Sequence, residues 1–188
     1  MIRAFLAIDL DPQALEQICR ATDSLHERIP SIRWVPKENL HLTVKFLGNI
    51  EEAQVTDITA ALRSGLSPFS RFSISAKGLG VFPEHGRPKI LWVGLASKEL
   101  TELAESVESC LLPLGFAPEQ RSFTPHLTIG RWRQFDGPPA ALKQELGNWR
   151  GRSFGESAVN EVILFQSELN PAGSIYRRLE TFALGKSA

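Results

Sequence analysis

The amino-acid sequence predicts an α+β protein with two lobes, in which two pseudo-symmetric antiparallel sheets carry outer helices and enclose a central cleft. One reason is a repeated pattern of His, apolar, Thr, apolar, found at 41–44 and again at 126–129. A second is that both copies lie in apolar, β-branched runs typical of strands. A third is that the order of strands and helices around the first copy partly repeats around the second. We therefore expect residues 1–188 to form a single domain of two intertwined lobes.

Hydrophobic periodicity and turn residues define the predicted elements of the first half. Asp11 followed by Pro12 is typical of a helix start, with an N-cap and then proline at the first helical position. Glu51 and Glu52 predict the first turn of a second helix, because the helix dipole stabilises acidic residues there. The predicted elements are a strand over 5–10, a helix from 11 to about 30, strands over 32–35 and 41–48, a helix over 51–66 and a strand over 72–76.

Glycine and proline residues divide the second half of the chain. They predict a loop over 78–88 and a chain break at Gly137, Pro138 and Pro139. A further loop is expected over 166–174, where Asn170 and Pro171 occur together. The intervening predicted elements are a strand over 90–95, a helix over 98–112, a strand containing the second motif, a helix over 140–146 and strands over 159–165 and 175–184.

The two motifs place one histidine and one threonine on a common face of each strand. Because side chains alternate along a strand, His41 shares a face with Thr43, and His126 shares a face with Thr128. Two imidazoles on either side of a substrate can act as a general base and a general acid. Two hydroxyl groups can donate hydrogen bonds to phosphate oxygens, and displacement at phosphorus places attacking and leaving groups roughly in line. The pattern indicates acid–base catalysis at phosphorus.

Two positive residues near the motifs are candidate substrate-binding groups. Strand alternation places Lys45 on the face of His41, so its ammonium group is expected in the cleft. Arg131 has the opposite parity from His126 and reaches the cleft only if the strand bulges or ends at Gly130. Lys45 and Arg131 are both predicted to contact substrate.

Aromatic residues provide a further candidate for substrate binding. Tyr176 is predicted to bind substrate, since Phe82, Trp92 and Tyr176 are all able to stack on a nucleobase. For Trp92 the surrounding apolar strand favours a core position. Zinc binding is the competing interpretation of the paired histidines, but no third ligand stands at a recognisable spacing and no HExxH occurs. No metal and no cofactor are expected.

Composition and charge exclude several classes of protein. The formal net charge of zero argues against a protein that coats long nucleic acids, although recognition of a single RNA end stays possible. Cys19 and Cys110 have no metal-ligand spacing, so we expect free thiols in a reducing, cytoplasmic compartment. No apolar run approaches the roughly 18 residues needed to cross a membrane.

The two motifs resemble the HxTx motifs of the 2H phosphoesterases, a resemblance that extends over almost the whole chain. Flanking residues narrow it to the bacterial and archaeal RNA 2′,3′-cyclic phosphodiesterases, also called 2′-5′ RNA ligase-like proteins. The residues that carry this narrower resemblance are Phe5–Ile8, Asn39–Leu40, Lys45–Gly48, Thr124–Pro125, Gly130–Arg131 and Ser167–Leu169.

The resemblance implies a bilobal α+β fold and a metal-independent hydrolase that opens an RNA-terminal 2′,3′-cyclic phosphate to leave a 2′-phosphate. It implies that His41 is the proton donor, that His126 is the proton acceptor, and that Thr43 and Thr128 hold the phosphate. The expected partners are RNA ends or nucleotides with a 2′,3′-cyclic phosphate, with no membrane and no obligate protein partner. Two alternatives stay open: 2′-5′ RNA ligation in the reverse direction, and a non-catalytic nucleotide- or RNA-binding module.

Overall fold

The computed structural model describes residues 1–29, 31–134, 139–170 and 173–185. Within these residues the chain forms strands, α-helices and two short 3₁₀ helices. The helices are α1 (Pro12–Leu25), α2 (Gln54–Leu66), α3 (Lys98–Leu111) and α4 (Pro139–Asn148), with 3₁₀ helices at Lys37–Asn39 and Leu112–Leu114. The strands are β1 (Ile2–Ile8), β2 (Ile32–Trp34), β3 (Leu42–Ile50), β4 (Phe72–Phe82), β5 (Ile90–Ala96), β6 (His126–Trp132), β7 (Ser153–Val159), β8 (Glu161–Asn170) and β9 (Gly173–Ala183).

The described strands form one antiparallel sheet in the order β7-β4-β5-β6-β3-β1-β8-β9, with β2 added to β6. The two halves of this sheet meet between β3 and β6, where Leu42 and Leu127 form the one residue pair assigned to that junction. Because such a short junction lets the halves diverge, the two predicted sheets are halves of one curled sheet with a cleft between them. The predicted α+β architecture is confirmed.

One face of the sheet packs against the helices and forms the main hydrophobic core. In α1 the buried residues recur at helical spacing, as in Ala14, Ile18 and Leu25. A smaller apolar cluster lies on the other face, where Phe5, Phe165 and their neighbours pack against Tyr176. Full burial of one aliphatic or aromatic side chain contributes about 1.5–3 kcal/mol. The larger core therefore stabilises the fold, while the smaller one shapes a wall of the cleft.

The start of α1 is confirmed, but its first contacts are not those of a capped helix. Asp11 precedes Pro12 as predicted, yet its side chain makes no capping hydrogen bond. Instead the Asp11 carboxylate accepts a hydrogen bond from the Ala158 N–H at 2.8 Å, and the Asp11 N–H donates to Ser157 Oγ at 2.7 Å. The helix start is thereby tied to β7. The helix ends at Leu25, before the predicted end near position 30, which lies outside the described residues.

The predicted loop over 78–88 is wrong in its first part, because β4 continues through it to Phe82. Gly78 has a φ of 70° at a break in the pairing of β4 with β5. Gly80 allows β4 to pass beneath an aromatic ring, since a Cβ atom there would lie 2.1 Å from the Trp92 side chain. The two glycines therefore serve a bulge and a close approach within a strand, and not a turn.

Two further strand predictions need correction. Strand β7 is absent from the prediction, because Gly155, with a φ of 94°, interrupts the alternation on which strand predictions depend. The predicted loop over 166–174 is largely strand: β8 and β9 pair from Glu161 with Ala183 to Asn170 with Gly173, with one register shift between Leu164 and Phe165. Positions 171 and 172 lie outside the described residues, as do 137 and 138 of the predicted chain break.

Candidate active site

The strand junction brings the two motifs face to face. In an antiparallel arrangement centred on Leu42 and Leu127, each histidine is placed across from the threonine of the other motif. A cleft of about 330 Å³ opens above this junction. Its lining residues are Arg3, Phe5, Val35, Asn39, His41, Thr43, Phe46, His126, Thr128, Arg131, Ser167, Leu169, Ser174 and Tyr176.

Both motif strands contain a bulge directly after the threonine. On β3 the partners of Ala7 and Leu6 are Thr43 and Lys45, so Val44 is left without a partner on β1. On β6 the pairing with β5 likewise leaves Ile129 without a partner. A bulge inserts one residue and reverses which face the following side chains occupy. Simple alternation counted from the motifs therefore assigns side chains after position 44 and after position 129 to the wrong face.

Lys45 is not in the cleft, so the prediction that it shares the face of His41 is wrong. The bulge turns its side chain toward α3, where the residue is 3% exposed. Its ammonium group lies 2.7 Å from a carboxylate oxygen of Glu108 and donates to the Ala117 carbonyl at 2.9 Å. Lys45 thus joins β3 to the helical layer, and a role in binding substrate has no support from its position.

The same bulges bring two other residues into the cleft. Phe46, which simple alternation from His41 would place on the opposite, core face, is 57% exposed and lines the cleft. Arg131 also lines the cleft, because the bulge at Ile129 changes the face on which its side chain lies. The prediction had required a bulge or a strand end at Gly130, one residue later. Gly130 meets β2 closely, because a Cβ atom there would lie 2.3 Å from the Ile32 side chain.

His41 is held in one orientation by its backbone and by aromatic rings. Its Nδ1 lies 2.9 Å from the Asn39 carbonyl oxygen, which can only accept, so Nδ1 carries the proton. The ring packs against Phe5 at 4.9 Å and edge-on against Tyr176 at 5.1 Å, measured between centroids. Asn39 is itself anchored, because its side-chain amide donates to the Ser174 carbonyl at 2.9 Å.

Burial is the main reason that the pKa of His41 is lowered from 6.5 to about 4. The hydrogen bond to Asn39 acts in the opposite direction, and the positive charge of Arg131 lowers the pKa further. His41 is therefore neutral near pH 7 when the cleft holds no substrate. In that form its Nε2 has a free lone pair, because Nδ1 carries the proton.

His126 is held in the same tautomer by a parallel contact. Its Nδ1 lies 2.7 Å from the Thr124 carbonyl oxygen, which again makes Nδ1 the donor. The ring stands edge-on to Phe82 at 5.1 Å and lies 6.3 Å from Trp92. Trp92, expected in the core, is partly exposed beside this histidine, and its buried indole N–H has no acceptor among the described residues.

Of the predicted site residues, the cleft collects His41, His126, Thr43, Thr128, Arg131 and Tyr176, and it omits Lys45. Sequence reasoning assigned no role to several residues that the cleft does contain. Some of them stand within the stretches quoted for the resemblance, although no signal marked them individually. These residues are Arg3, Phe5, Asn39, Phe46, Ser167 and Ser174.

The described residues hold no group of three or more His, Cys, Asp or Glu side chains arranged to bind a metal ion. The two histidines, each with Nδ1 bonded to a carbonyl, leave Nε2 for proton exchange in the cleft. Two threonine hydroxyls and the Arg131 guanidinium can donate hydrogen bonds to an anion there. The arrangement suits acid–base chemistry on a bound phosphate.

Comparison with known proteins explains the internal symmetry. The LigT-like phosphoesterase family model matches residues 8–92 and again residues 93–176, with one motif in each match. The chain belongs to the LigT-like phosphoesterase family. This phosphoesterase is 37% identical over 186 residues to the RNA 2′,3′-cyclic phosphodiesterase of Methanothermobacter thermautotrophicus, covering 97% of this chain and 99% of the relative. It is 38% identical to the protein of that name in Aquifex aeolicus, covering 81% and 82%.

Solved structures of other proteins have the same fold. A protein of Thermus thermophilus superposes on this phosphoesterase with a TM-score of 0.82 and 26% identity, over 97% of this chain and 98% of the other. Escherichia coli LigT, crystallised with 3′-AMP, gives a TM-score of 0.77 and 25% identity, over 98% and 99%. Among the described residues of the phosphoesterase, no helix is both long enough and apolar enough to span a bilayer.

Proposed function

We propose that this phosphoesterase hydrolyses the 2′,3′-cyclic phosphate at RNA ends and leaves a 2′-phosphomonoester. The observation that carries the proposal is the matched pair of histidines, each with Nδ1 bonded to a carbonyl and Nε2 left for proton exchange. The cleft between them also contains two threonines and a guanidinium group, which suit a phosphate. The names of the relatives, RNA 2′,3′-cyclic phosphodiesterases, support the same substrate.

In the proposed reaction, Thr43 and Thr128 donate hydrogen bonds to the non-bridging phosphate oxygens. His126 removes a proton from water at Nε2, and the water oxygen forms a bond to phosphorus. The bond between phosphorus and O3′ breaks on the opposite side, and His41 donates its Nε2 proton to O3′. The products are a 3′-hydroxyl and a 2′-phosphate. His126 is left protonated and His41 neutral, and the loss of a proton to solvent at His126 and the uptake of one at His41 restore the starting state.

The low pKa of His41 is compatible with its proposed role as proton donor. Burial keeps the ring neutral in the free protein. A bound phosphate brings a negative charge beside the ring, and an opposite charge favours the protonated form, so the pKa rises on binding. Arg131 has the opposite influence on His41 and, in this proposal, binds the same phosphate, so that its charge is partly neutralised.

Tyr176 is proposed to contact the part of the nucleotide next to the phosphate. Its ring stands edge-on to His41, and both residues line the cleft. We expect its side chain to contact the sugar or base of the bound nucleotide, through its ring face or its hydroxyl group. Removal of the ring would also expose His41 to water and raise its pKa toward the ordinary value.

The proposal is tested by incubating the full chain with 2′,3′-cyclic AMP in the presence of excess chelator and separating the products by chromatography. We expect 2′-AMP to accumulate at a rate unaffected by the chelator. A folded variant with both histidines replaced by alanine controls for contaminating nucleases, whose activity would persist in it. Absence of turnover would overturn the proposed function. Loss of turnover in chelator, restored by zinc, would overturn its metal-independent mechanism.

A further inference from the structure

A second cavity lies outside the cleft, between α1 and the segment that leads from α4 into β7. Its volume is about 240 Å³. Because α1 packs on the helical side of the sheet, the cavity lies in the layer of helices. The proposed reaction uses none of the residues that line it, and none of these residues lines the cleft. They are Gln17, Arg20, Ala21, Ser24, Trp149, Arg152, Ser153 and Phe154.

The wall that α1 contributes to this cavity is polar. Its four residues recur at helical spacing from Gln17 to Ser24, so they share one face of the helix. The Gln17 amide and the Arg20 guanidinium are donors for an anion. The Ser24 hydroxyl already donates to the Ala21 carbonyl at 2.7 Å.

The equivalent face of α3 is covered by another helix. The two helices correspond at a constant offset, which aligns the buried Ala14, Ile18, Ala21 and Leu25 of α1 with the buried Leu100, Ala104, Val107 and Leu111 of α3. At this offset Arg20 and Ser24 correspond to Ser106 and Cys110. Ser106 donates to the Gly65 carbonyl of α2 at 3.2 Å, and a Cβ atom at Gly65 would lie 1.9 Å from Cys110 Sγ. A face that is packed against a helix in one half therefore lines a cavity in the other.

Arg152 forms the opposite wall and is held by an aromatic stack. Its guanidinium lies 4.2 Å from the centroid of the Trp149 ring, and that ring is stacked on Phe154 at 5.9 Å. Both rings are buried, so they form a fixed floor beneath the guanidinium. Stacking engages the face of a guanidinium and leaves the N–H groups at its edge for an anion. The nearby Glu145 is already bonded to the Trp149 indole at 2.9 Å and to Arg28 at 3.3 Å.

Arg20 is the second cation at the cavity, and its contacts lead back to the rim of the cleft. Its guanidinium lies 3.3 Å from Glu16, whose other carboxylate oxygen lies 3.2 Å from Lys37 Nζ. Lys37 begins the 3₁₀ helix that ends at Asn39, a residue of the cleft. Arg20 and Lys37 are both more than half exposed, and ion pairs of this kind contribute little. Both cations are therefore able to exchange Glu16 for the anion of a ligand.

The donors at the cavity suit a phosphate group. Two guanidinium groups match the oxygen atoms of a phosphate, to which arginine donates two hydrogen bonds at once. Ser153 adds a hydroxyl, which accepts from the Gly155 N–H at 3.2 Å and keeps its own proton to donate. An RNA strand has one such phosphate for each nucleotide. Contact with one of them agrees with a net charge of zero, which argues only against coating of long nucleic acids.

We propose that this cavity binds a backbone phosphate of the substrate RNA, on the 5′ side of the end that lies in the cleft. This inference rests on the proposed function. The strand leaves the cleft beside Asn39, passes Lys37 and places one phosphodiester between Arg20 and Arg152. The cavity adds affinity for RNA over a mononucleotide and takes no part in bond breaking.

The first experiment measures binding of a fluorescently labelled RNA that ends in a 2′-phosphate, the proposed product. A length of about ten nucleotides lies within the site sizes of single-strand-binding proteins. The double variant Arg20→Gln/Arg152→Gln should raise the Kd about tenfold, as expected for two partly exposed charge contacts. The slope of log Kd against log salt concentration should decrease by about 0.7 for each arginine. Turnover of 2′,3′-cyclic AMP, which is too small to reach the cavity, should be unchanged.

A matched control removes two positive charges from the helices of the other half. Arg63 on α2 and Lys98 on α3 are 63% and 86% exposed. The variant Arg63→Gln/Lys98→Gln should keep the wild-type Kd and salt slope. Arg20→Gln alone covers the case in which loss of Arg152 disturbs the Trp149 stack, and it should raise the Kd about threefold. A wild-type Kd and salt slope in both Arg20→Gln and the double variant would overturn the inference.

The second experiment leaves the protein unchanged and varies the RNA. The Kd should decrease as the RNA is lengthened beyond a dinucleotide, and neutral methylphosphonate linkages in the added part should abolish this gain. A dinucleotide that binds as tightly as the longer RNA would overturn the inference. Binding of ADP that depends on Arg20 and Arg152, while binding of RNA does not, would also overturn it and assign the cavity to a free nucleotide.

The two proposals fail in different ways. Binding does not require turnover, so the Kd values test the cavity whether or not the cyclic phosphate is opened. Turnover of 2′,3′-cyclic AMP without any effect of the arginine variants on RNA binding would overturn the inference and leave the proposed function standing. Failure of the wild type to open any cyclic phosphate would instead overturn the proposed function, and with it the assignment of the bound RNA as substrate.

Discussion

The two halves of the cleft start from the same four-residue pattern and surround it differently. The His41 ring packs against Phe5 and Tyr176 within an apolar cluster, whereas the His126 ring meets Phe82 and stands at the edge of Trp92. The Nδ1 contact to a carbonyl is common to both. The carbonyl two residues before each histidine therefore fixes the tautomer of the ring, while neighbouring strands decide which aromatic rings surround it.

A second difference concerns the segments that precede the motifs. Asn39 provides the carbonyl for His41, and its amide holds the Ser174 carbonyl of β9. Thr124 provides the carbonyl for His126, and its hydroxyl donates within its own segment, to the Ser122 carbonyl at 3.4 Å. The orientation of His41 therefore depends on contacts between distant strands, and that of His126 depends on its local chain.

Loss of either histidine should have the largest effect and would show whether the halves act as one unit. His41→Ala and His126→Ala should each reduce turnover of 2′,3′-cyclic AMP by about 10²-fold or more, the usual contribution of a positioned acid or base. The double variant should lose far less than the product of the two reductions. Thermal melts serve as the control for folding. A folded single variant with near wild-type turnover would contradict the two-histidine mechanism.

The buried ion pair between Lys45 and Glu108 follows the first bulge. It has no counterpart after the second bulge, because Gly130 occupies the position equivalent to Lys45. Glu108→Leu leaves the Lys45 ammonium buried without its carboxylate and should reduce the free energy of unfolding by roughly 3–5 kcal/mol. Lys45→Met should cost less, because the Glu108 side chain is 25% exposed and keeps contact with water. Urea unfolding of both variants and of their combination measures this order. The double variant should be more stable than Glu108→Leu alone.

The protonation of His41 should make stability depend on pH. The pKa is about 4 in the folded state and near 6.5 when the ring is exposed, so between these values the unfolded chain binds more protons. Stability is fully present above about pH 6.5 and decreases as the pH falls toward 4, by at most about 3 kcal/mol. Unfolding of His41→Gln over this range should show a smaller decrease than the wild type. An equal decrease in both would contradict the assigned cause.

The threonines should show the smallest effect and the most symmetric one. Thr43→Ala and Thr128→Ala each remove one hydrogen bond to the phosphate and leave proton transfer possible. The loss in kcat/KM should be roughly tenfold, near the lower end for a hydrogen bond to a charged group. Kinetics of both variants beside the histidine variants test this. A threonine variant as inactive as a histidine variant would show that the hydroxyl has another role.

The sequence by itself determined the features that depend on neighbouring residues. Alternation along a strand holds between a histidine and a threonine two positions later, so the shared faces of His41 with Thr43 and of His126 with Thr128 followed directly. The helices α1 and α3 followed from apolar spacing, since a periodic apolar face is a local property of the chain. The resemblance carried by the two motifs also predicted the family, which the comparisons confirm.

Only the tertiary structure decided what lies beyond each bulge. A bulge is set by how a strand pairs with its neighbour, and no residue of β3 alone indicates that Lys45 turns to Glu108 while Phe46 enters the cleft. The lowered pKa of His41 could not be predicted from the sequence either, because Phe5 and Tyr176 belong to strands that are distant in the chain and exclude water from the ring. Pairing and burial are properties of distant segments in contact, and the local pattern contains neither.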